Sequence, residues 1–153
     1  MPPGLAKLLL PLRRYADFRG RSTRSEFVAF WLLTMLLGVL LFPLGYGVAR
    51  EVADLTLATV TICPMAALGV RRLHDQGRSG WWLLPGLPAV LWSFWTAIHG
   101  VQDPYTLAPK GPAWFQIACL AGVLTVMILM ALHPQSGPNR YGLDPREDPS
   151  LPY

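Results

Sequence analysis

At 153 residues, with 14% charged and 52% hydrophobic residues, the chain departs from the roughly 25% charged and 45–50% apolar composition of soluble domains. A mean hydropathy of +0.35, with six Trp and fifteen Pro, excludes an ordinary soluble domain and points to a membrane protein. A net charge of +4 suits either nucleic acid or a membrane surface, and the placement of the charges decides between them.

The N-terminal stretch "LAKLLLPLRRYADF" has a brief apolar run, broken by Pro11 and followed by arginines, with no small-residue cleavage site. It reads as an interfacial amphipathic helix rather than a signal peptide, within a cytoplasmic segment over 1–25. In "DFRGRSTRSEF", Thr23 and Glu26 have the spacing of a capping box, which predicts a helix from Arg24. The first span then runs over 27–49, 23 residues without a charge.

The second span, 53–70, has an uncharged core of only 16 residues, Leu55–Val70, against the about 20 that a helix needs to cross the hydrocarbon. It gives way to "GVRRLHDQGRSGWW", the most polar break in the chain. Helix two is expected to continue through "VRRLHD" and to end at Gly77 as a left-handed cap. Ser79 is then the N-cap of a third span over 81–98, with Trp81 and Trp82 entering the lipid. Pro85 and Pro88 make "LLPGLPAV" the irregular point of that span. The fourth span is 113–132, and a turn-rich tail over 133–153 carries "GPNRYGLDP". Cys63 and Cys119 lie inside spans at no metal-ligand spacing and receive no chemistry.

The predicted fold is thus an all-α integral membrane protein, with four transmembrane helices in one domain over 26–132. Alternating segments place eleven of the thirteen Lys and Arg on one side, which the positive-inside rule assigns to the cytoplasm, so both termini are inside. The arginines flank spans and form no independent basic domain, so no nucleic-acid partner is expected. The predicted location is the bacterial cytoplasmic membrane.

Three polar clusters, far apart in sequence, share the cytoplasmic face. Helix N-termini and arginines both suit anions, so Arg24, Arg72, His74, Arg78 and Arg140 are the candidate contacts for an anionic lipid headgroup. Glu26, Asp75, Ser79 and Asn139 are the candidate orienting or structural residues. The three segments also resemble the signature segments of a bacterial inner-membrane family, domain of unknown function 805, the YhaH-like proteins. The resemblance covers roughly Tyr15 to Pro145. Val28 stands where that pattern has an aromatic, and Trp31 supplies an anchor nearby. The resemblance implies a small multi-pass plasma-membrane protein and implies no activity.

Two readings of the polar face stay open. A structural clasp predicts acids matched to arginines, whereas an anion site predicts surplus positive charge. The three clusters hold seven arginines against four acids, which tilts toward an anion. The function expected is therefore non-catalytic binding of an anionic lipid headgroup or a membrane partner. The alternative is a membrane-embedded enzyme acting on a lipid headgroup, with His74 and Asp75 as an acid–base pair. Adjacent positions on one helix do not build a Ser–His–Asp triad with Ser79. His74 and Asp75 lack enough companions for a metal site, because His99 and His133 lie in other loops. Neither a cofactor nor a metal is expected. Membrane lipids are the expected partners, and a homo-oligomer or a membrane-protein partner stays open.

Overall fold

The computed structural model describes residues 11–45, 47–99 and 112–147. The interfacial helix expected at the N-terminus falls largely on 1–10, outside the described residues, while 11–13 are helical. Helix α1 (Arg24–Leu40) begins where the capping signal puts it: the Thr23 hydroxyl accepts the Glu26 amide at 3.4 Å. A 3-10 turn, Phe42–Leu44, extends it, and the chain returns as α2 (Val48–Asp75).

Helix α2 has 28 residues, about 42 Å at 1.5 Å per residue, so it continues well beyond its apolar run. Its end is a Schellman motif. The Arg78 amide donates to the Leu73 carbonyl at 2.9 Å and the Gly77 amide to the His74 carbonyl at 3.0 Å, with Gly77 at φ +71°.

The expectation of four transmembrane helices is corrected here. Among the described residues, three helical segments are long and apolar enough to cross a membrane: Arg24–Leu44, Val48–Asp75 and Ala113–Ala131. The segment expected to form the third span is a 3-10 helix, Gly80–Gly86, followed by the 13-residue α3 (Leu87–His99). Thirteen residues make about 20 Å of helix, short of a hydrocarbon core of about 30 Å. Prolines are the cause. An α-helix through this segment needs N–H groups at positions 85 and 88, and both residues are proline. The Leu84 carbonyl instead accepts the Leu87 amide in 3-10 fashion.

Helix α4 (Ala113–Ala131) completes the bundle. The broken segment starts with Gly80 against Val70 and reaches the far end, where Trp92 meets Phe115 at 5.2 Å. The start of α1, the ends of α2 and α4, and the tail therefore gather at one end. The apolar core of Phe27, Phe30, Leu68, Leu73, Leu129 and Met130 sits just beneath that gathering. Only 17–22% of the most apolar window in each span is buried, so most of each helix is left to face lipid.

Gly122 is what lets α4 lie on the 3-10 segment. A Cβ there would stand 2.0 Å from the Pro85 carbonyl oxygen, a backbone atom that cannot swing aside. We expect Gly122→Ala to destabilise the protein in detergent by about 1–3 kcal/mol, the usual range for overpacking. Gly38→Ala, where nothing lies within 4 Å, should leave the thermal midpoint unchanged or slightly raised. Equal midpoints for the two variants would show that the helices do not meet at Gly122.

Candidate functional site

The gathered end is built around Asp75, the last residue of α2, which is fully buried. Its Oδ1 accepts from Arg21 Nε at 3.0 Å and Nη2 at 2.8 Å. Its Oδ2 accepts from Arg72 Nη1 at 2.6 Å and Arg146 Nη2 at 2.9 Å. Arg72 reaches it from one helical turn back, Arg21 from the segment before α1, and Arg146 from the tail. Glu26, in the first turn of α1, takes the Ser22 hydroxyl at 2.6 Å and lies 3.7 Å from Arg71 Nη1.

The same side chains finish α4. The last four carbonyls of a helix have no partner inside it, and in lipid no water replaces one. Helix α4 carries no basic residue in its last turn, so its neighbours supply the donors. Gln76 Nε2 donates to the Leu129 carbonyl at 2.6 Å, and Arg72 Nε donates to that of Met130 at 3.1 Å. Arg72 Nη2 and Arg24 Nε both donate to the Leu132 carbonyl. One arginine thus neutralises Asp75 and caps a second helix.

The tail is stitched over this arrangement. The Gln135 amide donates to the Asp75 carbonyl at 2.8 Å, and Arg21 donates to the Gln135 and Gly137 carbonyls. Asn139 Nδ2 donates to the His74 carbonyl at 2.9 Å. The His74 ring stacks on Tyr141 with centroids 3.8 Å apart. Its Nδ1 lies 3.2 Å from the Gly20 carbonyl, which can only accept, so that nitrogen carries a proton. Asp144 accepts the Arg146 amide at 3.0 Å and its Nη1 at 2.8 Å. Burial alone would raise the Asp144 carboxyl. The Arg146 amide, with the Arg146 and Arg21 guanidiniums, holds it below the ordinary carboxylate value instead.

The structure brings Arg24, Arg72, Glu26, Asp75 and Asn139 into this network. His74 lies at its edge, turned toward Gly20 and Tyr141, and no hydrogen bond joins it to Asp75 among the described residues. Ser79 occupies the N-cap of the 3-10 helix without a side-chain capping bond. Arg78 stands outside, and Arg140 joins only through its Nη2, which donates to the Gly77 carbonyl at 3.3 Å. Each lies over an aromatic ring, Trp82 at 5.5 Å and Tyr141 at 4.7 Å, and neither forms an ion pair with a described carboxylate. No group of three metal-ligating residues occurs among the described residues.

The sequence offered Arg71, Arg78 or the N-terminal arginines as cationic partners for Asp75; an N-terminal arginine, Arg21, takes that place, whereas Arg71 faces Glu26, and neither Gln76 nor Arg146 was singled out. One signal was available. Consecutive residues on a helix point about 100° apart, so Arg71 and Arg72 must serve two neighbours: Arg71 turns to Glu26 on α1, Arg72 to α4. The buried interior is charge-matched, with Arg21, Arg71 and Arg72 against Glu26, Asp75 and Asp144. The surplus of positive charge lies at the rim.

The segments that meet here also carry the family relationship. The family model described as "Protein of unknown function (DUF805)" matches residues 15–143. The chain belongs to this family. It is 28% identical over 138 residues to the inner membrane protein YhaI of Escherichia coli strain K12, covering 88% of this chain and 91% of that protein. To the inner membrane protein YhaH of the same strain it is 39% identical over 88 residues, covering 53% and 73%. An uncharacterized protein of that strain, YiiR, is 31% identical over 145 residues, covering 86% and 87%. No solved structure matches. Like YhaI and YhaH, this DUF805 member is an inner-membrane protein, and its several candidate spans make it multi-pass.

Removing one partner of a buried ion cluster leaves the others uncompensated, at about 3–5 kcal/mol. Asp75→Asn is expected to destabilise by that much in detergent unfolding, whereas Asp17→Asn, in the half-exposed Arg14–Asp17 pair, should stay within about 1 kcal/mol. A small effect at Asp75 would refute the cluster as the organising element. The depressed Asp144 carboxyl stabilises the fold above its unfolded value of about 4, and that contribution is lost as pH falls through the folded value. The midpoint difference between wild type and Asp144→Asn should therefore be present at pH 6 and vanish in strong acid. A difference that persists there would sink this account.

Proposed function

We propose that the protein is a non-catalytic membrane component whose polar end faces the cytoplasm and binds an anionic phospholipid headgroup at its rim. One observation carries this reading: Arg78 and Arg140 project from a charge-matched interior with no ion-pair partner among the described carboxylates. An aromatic ring backs each guanidinium, which holds its plane without neutralising it, and N–H groups beyond the one Arg140 gives to Gly77 are left for phosphate oxygens. Trp81 and Trp82, 76% and 52% exposed, flank the rim with the amphipathic rings that settle at headgroup depth. Of the described Lys and Arg, all but Arg50 lie toward this end, the distribution expected of a cytoplasmic face.

The division of labour is physical. Burying Arg21, Arg71 and Arg72 against acids fixes the helix ends, and the fixed ends hold the rim arginines apart at a set spacing. A near-surface basic residue attracts anionic lipid by about 1 kcal/mol. A pair of preoriented guanidiniums should also discriminate between headgroups, which diffuse charge does not.

Native mass spectrometry of the detergent-purified protein tests the proposal. Wild type should retain a defined anionic phospholipid, and the Arg78→Ala/Arg140→Ala variant should lose it while keeping its thermal midpoint. Equal lipid retention by both proteins would overturn the reading and turn attention to a protein partner.

A further inference from the structure

The tail is fastened by polar bonds, and none of its described residues beyond Leu132 belongs to the apolar core or packs against it. Within that tail Asp144 occupies an unusual position for a carboxylate. It collects the Arg146 amide and guanidinium. Its Oδ2 lies 3.8 Å from Arg21 Nη2. Two guanidiniums with a backbone amide make a donor set that suits phosphate oxygens.

The local charge points the same way. Arg21, Arg72 and Arg146 converge on Asp75 and Asp144, three cations against two anions. With the Asp144 carboxylate turned away, two positive charges are uncompensated, which matches a phosphate monoester dianion. Access exists as well. Arg146 is 39% exposed at its side chain, and an open cavity of about 320 Å³ lies beside Arg21, lined also by Arg14, Gly20, Tyr141, Leu143 and Pro145.

We propose that the Asp144 carboxylate is an internal stand-in for an external phosphate monoester, which binds between Arg21 and Arg146 by displacing it. This is a second anion position, separate from the rim of Arg78 and Arg140. The protein's own tail is the competitor, so the affinity observed is that of the open site reduced by the fraction of molecules in which Asp144 occupies it.

The test uses the full chain carrying Arg78→Ala and Arg140→Ala, so that rim binding does not contribute and the two proposals fail separately. Binding of dihexanoyl phosphatidic acid and of inorganic phosphate is measured by calorimetry, with and without Asp144→Asn. Asp144→Asn should tighten binding about tenfold by removing a like charge from the site, and adding Arg146→Gln should abolish the gain. A gain with both probes supports the site and shows that the phosphate group suffices. A gain with the lipid alone supports it and assigns the headgroup. No gain with either probe overturns it. A second readout needs no substitution at Asp144. At saturating phosphatidic acid, amide exchange over residues 144–147 should accelerate as the Arg146 amide loses its acceptor. Unchanged exchange there would also overturn the proposal.

Discussion

One carboxylate with four charge-assisted hydrogen bonds holds the polar end together. Asp75 ends α2, and its three guanidinium partners come from the segment before α1, from α2 itself and from the tail. Placing ions near lipid costs several kcal/mol each unless every oxygen is met. Here both oxygens are met twice. The dense polar break between two apolar runs is therefore the place where chain segments distant in sequence are joined.

Where a helix starts or stops was legible in the sequence, because caps are local chemistry. Thr23 with Glu26 marks the start of α1, and Gly77 marks the close of α2. Which apolar runs make a full helix was less legible. Residues 81–98 have the length and hydropathy of a span, but hydropathy counts side chains while an α-helix needs amides, and Pro85 and Pro88 remove two of them. The segment over 53–70 is the opposite case: it forms a span although its uncharged run is short. Its apolar run looked short because the helix continues through charged residues, which are tolerated there because they cap and neutralise their neighbours.

The site was legible as a meeting place and illegible as a pairing. Charge patterning gathered the three polar segments onto one face. It did not show that Arg71 and Arg72 diverge to different helices, or that His74 and Asp75 part company, one toward Tyr141 and the other inward. A count of seven arginines against four acids has no inside or outside. In three dimensions it separates into a matched interior and an unmatched rim, so the clasp and the anion reading describe two layers of one structure.

The capping of α4 has a further meaning for assembly. Its final carbonyls are completed by Gln76, Arg72 and Arg24, all of which precede it in the chain. Inserted alone, α4 would carry open acceptors at its end, whereas α2 closes its own end through Gly77 and Arg78. For α4 the order of synthesis is thus the order in which partners become available: its donors are already made when it leaves the ribosome.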